Sequence, residues 1–265
     1  MPKTILITGS TDGIGLETAG ILISMGHSVL LHGRSPAKLE KVEKTLSALP
    51  HGGRVESCLA DLSRLADVES LARAVAQRHA KLDVLINNAG VYRAAELVSQ
   101  DGLDTRFVVN TIAPYLLGAS GRVINLSSAA QSTVDQDALA GRVGLSDGVA
   151  YAQSKLALTM WSRGLALSLA DDGPAVIAVN PRSMLGSKMV KEAYGVTGGD
   201  LRIGAEILTR AALSDEFAAA SGRYFDNDSG RSTSPHPDAL NPQKCEEIVR
   251  VIEAILAEKT RPDED

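Results

Sequence analysis

Tyr151 and Lys155 are the two residues whose side chains and spacing point most directly to chemistry. They stand four positions apart in the stretch 150–166, which has helical character, so both side chains lie on one face of a helix. A phenol has a pKa of about 10, too high for efficient proton exchange at neutral pH, and an adjacent ammonium lowers it by favouring the phenolate. The pair therefore predicts proton transfer, with Tyr151 as a general acid or base. An ordinary helix surface is the alternative for this pair taken alone.

A glycine-rich turn near the start of the chain is the second chemical feature. Its residues are Gly9, Ser10, Thr11, Asp12, Gly13, Ile14 and Gly15. Glycines in such a turn allow sharp backbone bends and let a pyrophosphate approach the N-terminus of the following helix. A purely structural turn also uses glycines, but here a predicted strand precedes the turn and a predicted helix follows it. That context favours a dinucleotide-binding site.

Two serines, Ser127 and Ser128, end the fifth predicted strand. Ligands of open α/β sheets bind at such strand ends. Neighbouring strand residues point to opposite faces, so we expect one of the two hydroxyls to reach the site. The alternative is that these hydroxyls only satisfy backbone groups at the strand end.

The elements that must position these residues alternate regularly along the chain. Short apolar, β-branched runs are separated by longer stretches with helical spacing. The predicted strands cover 4–8, 28–32, 55–62, 84–87, 122–126 and 175–179, and 222–225 is a candidate seventh strand. Repeated alternation of strand and helix predicts an α/β fold, a doubly wound parallel sheet with helices on both faces. The leading strand order is 3-2-1-4-5-6, and 1–265 is predicted to form one domain.

Four motifs, spread over most of the chain, tie these features together. They are Thr8-Gly9-x-x-x-Gly13-x-Gly15, Asp61-Leu62, Asn87-Asn88-Ala89-Gly90 and Tyr151-x-x-x-Lys155. In this order they resemble the short-chain dehydrogenase/reductase family. The segment 150–157 is similar to retinol-dehydrogenase-like and protochlorophyllide-reductase-like members. The resemblance implies a Rossmann fold of about seven strands and hydride transfer between a nicotinamide cofactor and a carbonyl or alcohol group.

The resemblance also implies roles for individual residues. The implied catalytic group is Asn110, Ser128, Tyr151 and Lys155, in which Ser128 hydrogen-bonds the substrate oxygen and Asn110 holds a water of the proton relay. A satisfied buried amide is the alternative for Asn110. Beyond the glycine turn, the implied cofactor contacts are Asp61, Leu62, Asn88, Ala89, Gly90, Tyr151, Lys155, Pro181 and Ser187. The segment 183–200 corresponds to the family's substrate lid, a common place for gating.

The residues that end the second strand bear on which nicotinamide cofactor binds. An acidic residue there would hold both ribose hydroxyls and repel a 2′-phosphate, whereas this chain has Gly33 and Arg34. Glycine leaves space and arginine offers a bidentate phosphate clamp, so Arg34 is a predicted cofactor contact and NADP(H) is favoured over NAD(H). Asp12 argues the other way, because many NADP-using relatives have a basic residue there. A solvated surface side chain is the alternative for Arg34.

Two departures from the family pattern concern the length of the chain between motifs. Ten residues separate Asn110 from Gly121, so the helix between them is about two turns short, at 3.6 residues a turn. That helix commonly helps to build the family's dimer interface. A homo-oligomer is therefore one of the states that the sequence allows. The segment 129–148 is longer than usual, and we expect it to form one wall of the substrate pocket.

The third departure is a substitution beside the cofactor. Arg182 follows Pro181, where relatives have glycine. Glycine gives the backbone freedom at this position, whereas arginine must fit a conventional backbone or accept strain. Arg182 either contacts a phosphate or carboxylate group or damages the site.

Composition narrows the range of partners and compartments. The net charge of -5 argues against a nucleic-acid surface, and the sequence has no apolar stretch of the length of about 18 residues that a membrane-spanning helix needs. Cys58 and Cys245 are too few for a disulfide framework, and the five histidines show no metal-ligand spacing. We expect a cytoplasmic protein that binds a small molecule, with no metal, nucleic acid or membrane as partner.

The sequence thus predicts an NADP(H)-dependent oxidoreductase that acts on a carbonyl or alcohol substrate through Tyr151. The alternative, from another class of function, is a nucleotide-sensing or interaction protein that keeps the cofactor but has weak or lost catalysis. The shortened helix and Arg182 favour this alternative. The presence of Tyr151, Lys155, Ser128 and Asn110 favours the enzyme.

Overall fold

An eight-stranded sheet forms the centre of the computed structural model, which describes residues 1–50, 52–118, 121–169 and 173–259. Its strands are β1 (Thr4–Ile7), β2 (Ser28–Gly33), β3 (Val55–Leu59), β4 (Val84–Asn87), β5 (Arg122–Leu126), β6 (Val176–Asn180), β7 (Tyr224–Asp226) and β8 (Arg231–Thr233). They lie in the order β3-β2-β1-β4-β5-β6-β7-β8. The first seven strands are parallel, and β8 is antiparallel to β7. The doubly wound fold and the predicted strand order are confirmed.

The ends of β1, β2, β6 and β7 differ from the predicted ones by one or two residues, and the structure differs more from the prediction at two other places. β3 ends at Leu59 rather than at position 62, because the carboxylate of Asp61 accepts hydrogen bonds from the N–H and the hydroxyl of Ser63 (3.0 and 2.7 Å) and turns the chain. β8 has no counterpart among the predicted strands. Its three residues are polar and mostly exposed, so they lack the apolar alternation by which a strand is predicted.

Helices cover both faces of the sheet. They are α1 (Gly13–Ser24), α2 (Pro36–Ser47), α3 (Leu65–Arg78), α4 (Thr105–Phe107), α5 (Ala113–Leu116), α6 (Gln136–Leu139), α7 (Asp147–Ser168), α8 (Lys188–Tyr194), α9 (Leu201–Leu213) and α10 (Pro242–Lys259). A π-helical segment, Val108–Ile112, joins α4 to α5, and short 3₁₀ helices cover Asp215–Phe217 and Pro237–Leu240. Within the described part of the chain, no helix has both the length and the apolar character needed to cross a membrane.

The core consists of two apolar layers, one on each face of the sheet. Ile5 and Ile7 of β1 pack with residues of α1, α2 and α9, whereas Leu6 packs with residues of α3, α7 and α10. This division follows from the alternation of side chains along a strand. A fully buried leucine or isoleucine contributes about 1.5–3 kcal/mol, so the two layers hold the carboxyl ends of the strands in fixed positions.

Arg106 fixes the start of the long helix α7. Its guanidinium is 1% exposed and bonds Asp104, which caps α4, through Nε (2.9 Å) and Nη2 (2.6 Å). Its Nη1 donates to Asp147, the first residue of α7, at 2.5 Å. Because α7 carries Tyr151 and Lys155, this ion-paired group sets where both side chains enter the site.

Candidate active site

A cavity of about 390 Å³ lies where the central parallel strands end. Most of the predicted cofactor residues line it: Gly9, Thr11, Asp12, Gly13, Ile14, Arg34, Asp61, Leu62, Asn88, Ala89, Gly90, Tyr151, Lys155, Pro181 and Ser187. These residues come from loops that follow β1, β2, β3, β4 and β6 and from α7. The topology therefore brings together residues that are up to 178 positions apart in the chain, Gly9 and Ser187 being the most distant.

Two residues of the predicted glycine turn lie behind the cavity wall. Ser10 is fully buried, and its Oγ accepts a hydrogen bond from the N–H of His32 at 2.8 Å. Gly15 is buried against the turn itself, where an added Cβ would lie 2.5 Å from the carbonyl oxygen of Gly9. Both residues shape the turn rather than line the cavity.

Asn88 holds the glycine turn from the neighbouring strand. Its Nδ2 donates to the carbonyl oxygens of Thr8 and Gly9, at 2.9 and 3.0 Å. The N–H of Ala89 donates to Oγ1 of Thr8 at 3.0 Å. Gly9 has a φ of 65°, and a Cβ added there would lie 2.9 Å from Cα of Ala89. The two motifs thus pack directly against each other, which leaves no room for a side chain at Gly9.

His32 is a structural part of the site that sequence reasoning missed. Its Nδ1 accepts from the N–H of Gly9 at 3.0 Å, and its Nε2 lies 3.2 Å from the carbonyl oxygen of Ala60. Because Nδ1 is the acceptor, Nε2 carries the proton and donates. Burial lowers the pKa of His32 to about 4, so the ring is neutral at physiological pH. The signal in the sequence is slight: a histidine at the end of an apolar strand.

The end of β2 has no acidic side chain beside the expected adenosine ribose. A Cβ added at Gly33 would lie 2.7 Å from Cγ2 of Thr11, so an acidic side chain does not fit there unless Thr11 moves. Arg34 is exposed at the cavity rim. Hydrogen bonds from Ser63 and the positive charge of Arg34 act against burial to hold the pKa of Asp61 below its usual range. The rim thus combines a cation with an anionic carboxylate.

Asp12 has a local explanation in the structure. Its side chain caps α1 by accepting from the N–H of Gly13 at 2.8 Å. A carboxylate at this end of a helix is stabilised by the helix dipole. Asp12 is therefore a helix cap in addition to being a cavity residue.

A second cavity, of about 180 Å³, adjoins the first at Tyr151. The two share Ile14, Ser127, Tyr151, Pro181, Ser187 and Met189. Ser128 lines the second cavity, and a hydrogen bond from its side chain reaches the Tyr151 phenol. The phenol therefore stands at the junction of the two cavities.

The acidity of Tyr151 differs from the sequence-based expectation. The adjacent ammonium is expected to lower its pKa, but burial raises the pKa of Tyr151 to about 12, and the hydrogen bond from Ser128 offsets only part of this. Tyr92, whose ring centroid lies 5.2 Å from that of Tyr151, and Tyr194 both add to the rise. Desolvation is the largest cause, because burial disfavours the charged phenolate. In the protein alone, Tyr151 is a protonated phenol at neutral pH.

Lys155 is buried beneath the tyrosine. It is 3% exposed, and its Nζ lies 5.8 Å from the centroid of the Tyr151 ring. Nζ donates to the carbonyl oxygen of Leu126 at 2.7 Å, and burial lowers the pKa of Lys155 to about 8. Since an ammonium has three donors, two remain for groups on the cavity side.

Asn110 occupies the π-helical segment and is fully engaged within the protein. Its Nδ2 donates to the carbonyl oxygen of Val91 (2.9 Å) and to Oγ of Ser154 (3.0 Å), and its Oδ1 accepts from the N–H of Val91 (2.8 Å). These contacts anchor the strand-end segment that contains Gly90 to α7. The implied role of Asn110 in holding a relay water stays a prediction. Segments of π-helix occur often at functional sites, and no feature of the sequence predicts this one.

The two serines at the end of β5 have different surroundings, but both line the second cavity, whereas the sequence predicts that only one of them reaches the site. Ser127 is buried, and its Oγ lies 2.7 Å from Oγ1 of Thr159 on α7. Ser128 is partly exposed and its Oγ accepts from the N–H of Ala130 at 3.1 Å. Ser127 lines both cavities, whereas Ser128 lines the second cavity and not the first.

The segment predicted as a lid contains a short helix. Ser187 caps α8 by accepting from the N–H of Val190 at 3.2 Å. Lys188 and Met189 line the first cavity, and Tyr194 lines the second. Lys188, Met189 and Tyr194 are thus further site residues, and their cluster within the predicted lid segment is the signal for them.

The long segment after Ser128 contributes less to the pocket than the sequence suggests. Ala129 and Ala130 line the second cavity, but the later part forms α6, capped by Asp135, with Leu139 buried in the core. The buried residues of this segment, Ala138 and Leu139, therefore pack against the core rather than line the pocket, and most of its other residues are exposed. Among the described residues, no three His, Cys, Asp or Glu side chains are grouped as a metal site would require; His51 lies outside the described residues.

Comparison with known structures agrees with this geometry. The chain aligns with a solved protein from Mycobacterium paratuberculosis at 24% identity and a TM-score of 0.78, covering 97% of this chain and 96% of that one, which shows the fold. A short-chain dehydrogenase from Burkholderia cenocepacia, solved in complex with NADP, aligns at 26% identity and a TM-score of 0.67. That alignment covers 84% of this chain and 95% of the other.

Sequence comparison identifies the family. Retinol dehydrogenase 13 of Mus musculus is 30% identical over 275 residues, which covers 94% of this chain and 80% of the relative. The family pattern described as short chain dehydrogenase matches residues 3–195, a range that includes the glycine turn, Asn110, Tyr151 and Lys155. The chain therefore belongs to the short-chain dehydrogenase/reductase family of Rossmann-fold oxidoreductases.

Proposed function

We propose that this enzyme is an NADP(H)-dependent carbonyl reductase or alcohol dehydrogenase in which Tyr151 exchanges the proton. The observation that carries the proposal is the position of the Tyr151 phenol between two adjoining cavities, with Ser128 and Lys155 beside it. The larger cavity suits a dinucleotide, and the smaller one suits the substrate. A reaction between the two ligands would take place at their junction.

The residues of the larger cavity fit a dinucleotide with a 2′-phosphate. The close contacts of Gly9 with Ala89 and of Gly15 with Gly9 leave backbone, not side chains, facing the turn, as a pyrophosphate requires. The absence of an acidic side chain at Gly33 and the guanidinium of Arg34 favour a phosphate on the adenosine ribose. The relative from Burkholderia cenocepacia is in complex with NADP, which supports the same preference.

The chemistry divides between the cofactor and the protein. When bound, the reduced cofactor supplies a hydride to the carbonyl carbon of the substrate. Ser128 and Tyr151 hydrogen-bond the carbonyl oxygen and stabilise its developing negative charge. The phenol proton of Tyr151 passes to that oxygen, which yields the alcohol. Lys155, held by the carbonyl of Leu126, directs its remaining N–H groups at the cavity and stabilises the phenolate left behind.

The test is NADPH oxidation with a panel of aldehydes and ketones, together with fluorescence titration of NADPH and NADH. Tyr151→Phe should abolish turnover and leave the Kd for NADPH unchanged. Tyr92→Phe is the matched control, because it removes a neighbouring phenol hydroxyl in the same cavity, and it should retain turnover.

Two results would contradict the proposal. Activity retained in Tyr151→Phe would exclude the proton-transfer role. Tight NADPH binding without turnover across the panel would instead favour a nucleotide-sensing protein. A cytoplasmic location and assembly into a homo-oligomer stay predictions, to be tested by cell fractionation and by the mass of the protein in solution.

A further inference from the structure

Arg182 adopts a backbone conformation that an arginine rarely takes. It follows β6 and Pro181 and has a φ of 117°, in a region that favours glycine. Such a residue persists only when its surroundings hold it in place, and strained residues cluster at functional sites. A function of the arginine side chain would therefore account for an arginine at this strained position.

The strained turn is clamped on both sides by the loop after β7. Nδ2 of Asn227 donates to the carbonyl oxygen of Pro181 at 3.0 Å. The carboxylate of Asp228 accepts from the N–H of Ser183 (3.1 Å), from its hydroxyl (2.6 Å) and from Nδ2 of Asn180 (2.9 Å). These bonds use Asp228 to fix the backbone around Arg182, and the positive charge of Arg182 is among the causes that lower the pKa of Asp228, although no hydrogen bond or ion pair joins the two side chains.

The side chain of Arg182 is exposed and lines the smaller cavity, which also contains Ser128 and Tyr151. It makes no hydrogen bond or ion pair with any described residue, and it is the only charged side chain among the described residues that line this cavity. It does not line the larger, cofactor cavity. A cation whose N–H groups have no direct partner among the described residues, in the cavity that contains Ser128 and Tyr151, is suited to an anionic group of the substrate.

Apart from four serines and Asn180, the rest of the cavity wall is apolar or aromatic. Tyr92 and Tyr194 stand with ring centroids 5.9 Å apart, and Met184 and Met189 add thioether side chains. Such a wall suits an apolar or aromatic body. The apolar and aromatic wall and the Arg182 guanidinium together fit a ligand with a hydrophobic body and one negatively charged end.

We propose that the substrate is an apolar or aromatic carbonyl compound that carries a carboxylate, and that Arg182 binds this carboxylate. The inference rests on the proposed function for the carbonyl at Ser128 and Tyr151. Arg182 is then a specificity-determining residue, which accounts for an arginine at a position whose backbone favours glycine.

The test compares 4-formylbenzoate with its methyl ester, two aldehydes that share the aromatic ring and the formyl group but of which only the first carries a negative charge. The wild type should have a higher kcat/KM for 4-formylbenzoate, by about tenfold or more, as expected from a charge-assisted hydrogen bond. Arg182→Gly, which also removes the backbone strain, should abolish this preference through KM and leave the Kd for NADPH unchanged. Arg231→Met removes an exposed arginine outside the cavity and should leave the preference intact.

A binding measurement separates this proposal from the proposed function. Calorimetric titration of NADP⁺-saturated protein with 4-formylbenzoate should detect binding to the wild type and at least about tenfold weaker binding to Arg182→Gly. Such binding without turnover of either aldehyde would support the role of Arg182 and count against the oxidoreductase mechanism. Equal binding by both proteins, or a loss of NADPH affinity in Arg182→Gly, would overturn the role of Arg182.

Discussion

The N–H of Gly9 donates to Nδ1 of His32 at 3.0 Å, and Nε2 of the same ring lies 3.2 Å from the carbonyl oxygen of Ala60. One imidazole thus connects the cofactor turn after β1 with the loop after β3. The arrangement requires one tautomer of the neutral ring, because Nδ1 accepts while Nε2 donates. A proton on Nδ1 would place two N–H groups against each other.

This arrangement predicts that the protein loses stability in acid through His32. Its pKa falls from 6.5 in the unfolded chain to about 4 in the folded protein, so the unfolded state binds more protons between these values. The stabilisation is fully present above the unfolded pKa and is lost as the pH falls through the folded pKa. The free energy of unfolding should decrease by about 3 kcal/mol through His32 as the pH falls below the folded pKa. Urea denaturation across this range should show it.

His32→Gln is the matched variant for the acid measurement. Glutamine keeps a donor and an acceptor but does not titrate, so its free energy of unfolding should fall less steeply as the pH is lowered. Other acid-sensitive groups, such as His27 with its lowered pKa, are common to both proteins. Equal slopes for wild type and variant would show that His32 does not control acid stability.

A second prediction concerns the pH dependence of the two reaction directions. Because burial raises the pKa of Tyr151 to about 12, the phenol is protonated and ready to donate at neutral pH. Alcohol oxidation instead requires the phenolate, so its rate should rise up to about tenfold per pH unit while the phenolate is the minor form. Carbonyl reduction should show no such rise. Steady-state rates in both directions test this, and a reduction rate that increased in parallel with pH would contradict it.

The sequence predicts the strands that are determined by their own residues better than those that depend on contacts with other parts of the chain. β4 and β5 have the predicted bounds: β4 is a short apolar run that ends in Asn87, and β5 begins at Arg122 and ends at Leu126, directly before two serines. β3 is shorter than predicted because the side chain of Asp61 turns the chain at Ser63, a contact that strand periodicity does not contain. β8 lies at the sheet edge and is mostly exposed, so it has no buried face to reveal it.

The candidate site likewise has parts that the sequence predicts and parts that depend on contacts between distant residues. The motifs predict that the glycine turn, Asn88 and Tyr151 lie together, since parallel strands bring their carboxyl ends to one edge. The contacts of His32 with Gly9 and Ala60 depend on residues 23 and 28 positions away and follow from packing alone. The direction of the Tyr151 pKa shift depends first on burial and then on electrostatic interaction with Tyr194 and Tyr92, and the spacing of Tyr151 and Lys155 contains neither.

A third prediction concerns the choice between NADPH and NADH. Arg34→Met removes the exposed cation at the cavity rim, so the Kd for NADPH should rise about tenfold or more, as expected from loss of a charge-assisted contact. The Kd for NADH, which lacks the 2′-phosphate, should stay unchanged. Fluorescence titration measures both constants. A similar weakening for both cofactors would show that Arg34 does not recognise the phosphate.

Gly33 makes the converse experiment possible. An acidic residue there would favour NADH, but an added Cβ lies 2.7 Å from Cγ2 of Thr11. Gly33→Asp alone should therefore weaken binding of both cofactors. Gly33→Asp combined with Thr11→Ser, which removes the clashing methyl group, should restore NADH binding and not NADPH binding. Restoration of neither cofactor would show that the contact with Thr11 is not what limits position 33.

The last prediction tests the ion-paired group that sets the start of α7. Arg106→Met leaves the carboxylate of Asp104, which is 11% exposed, without its guanidinium partner, whereas Asp147 keeps Arg93 at 3.6 Å. Loss of one partner of a buried pair costs about 3 kcal/mol, so the midpoint of urea denaturation should fall. Asp104→Asn in the Arg106→Met background removes the stranded charge and keeps a good helix cap, so it should recover part of the stability.

Because α7 carries Tyr151 and Lys155, kcat should fall in the single variant and recover in parallel with stability. A single variant as stable as the wild type would show that Arg106 does not hold α7 in place.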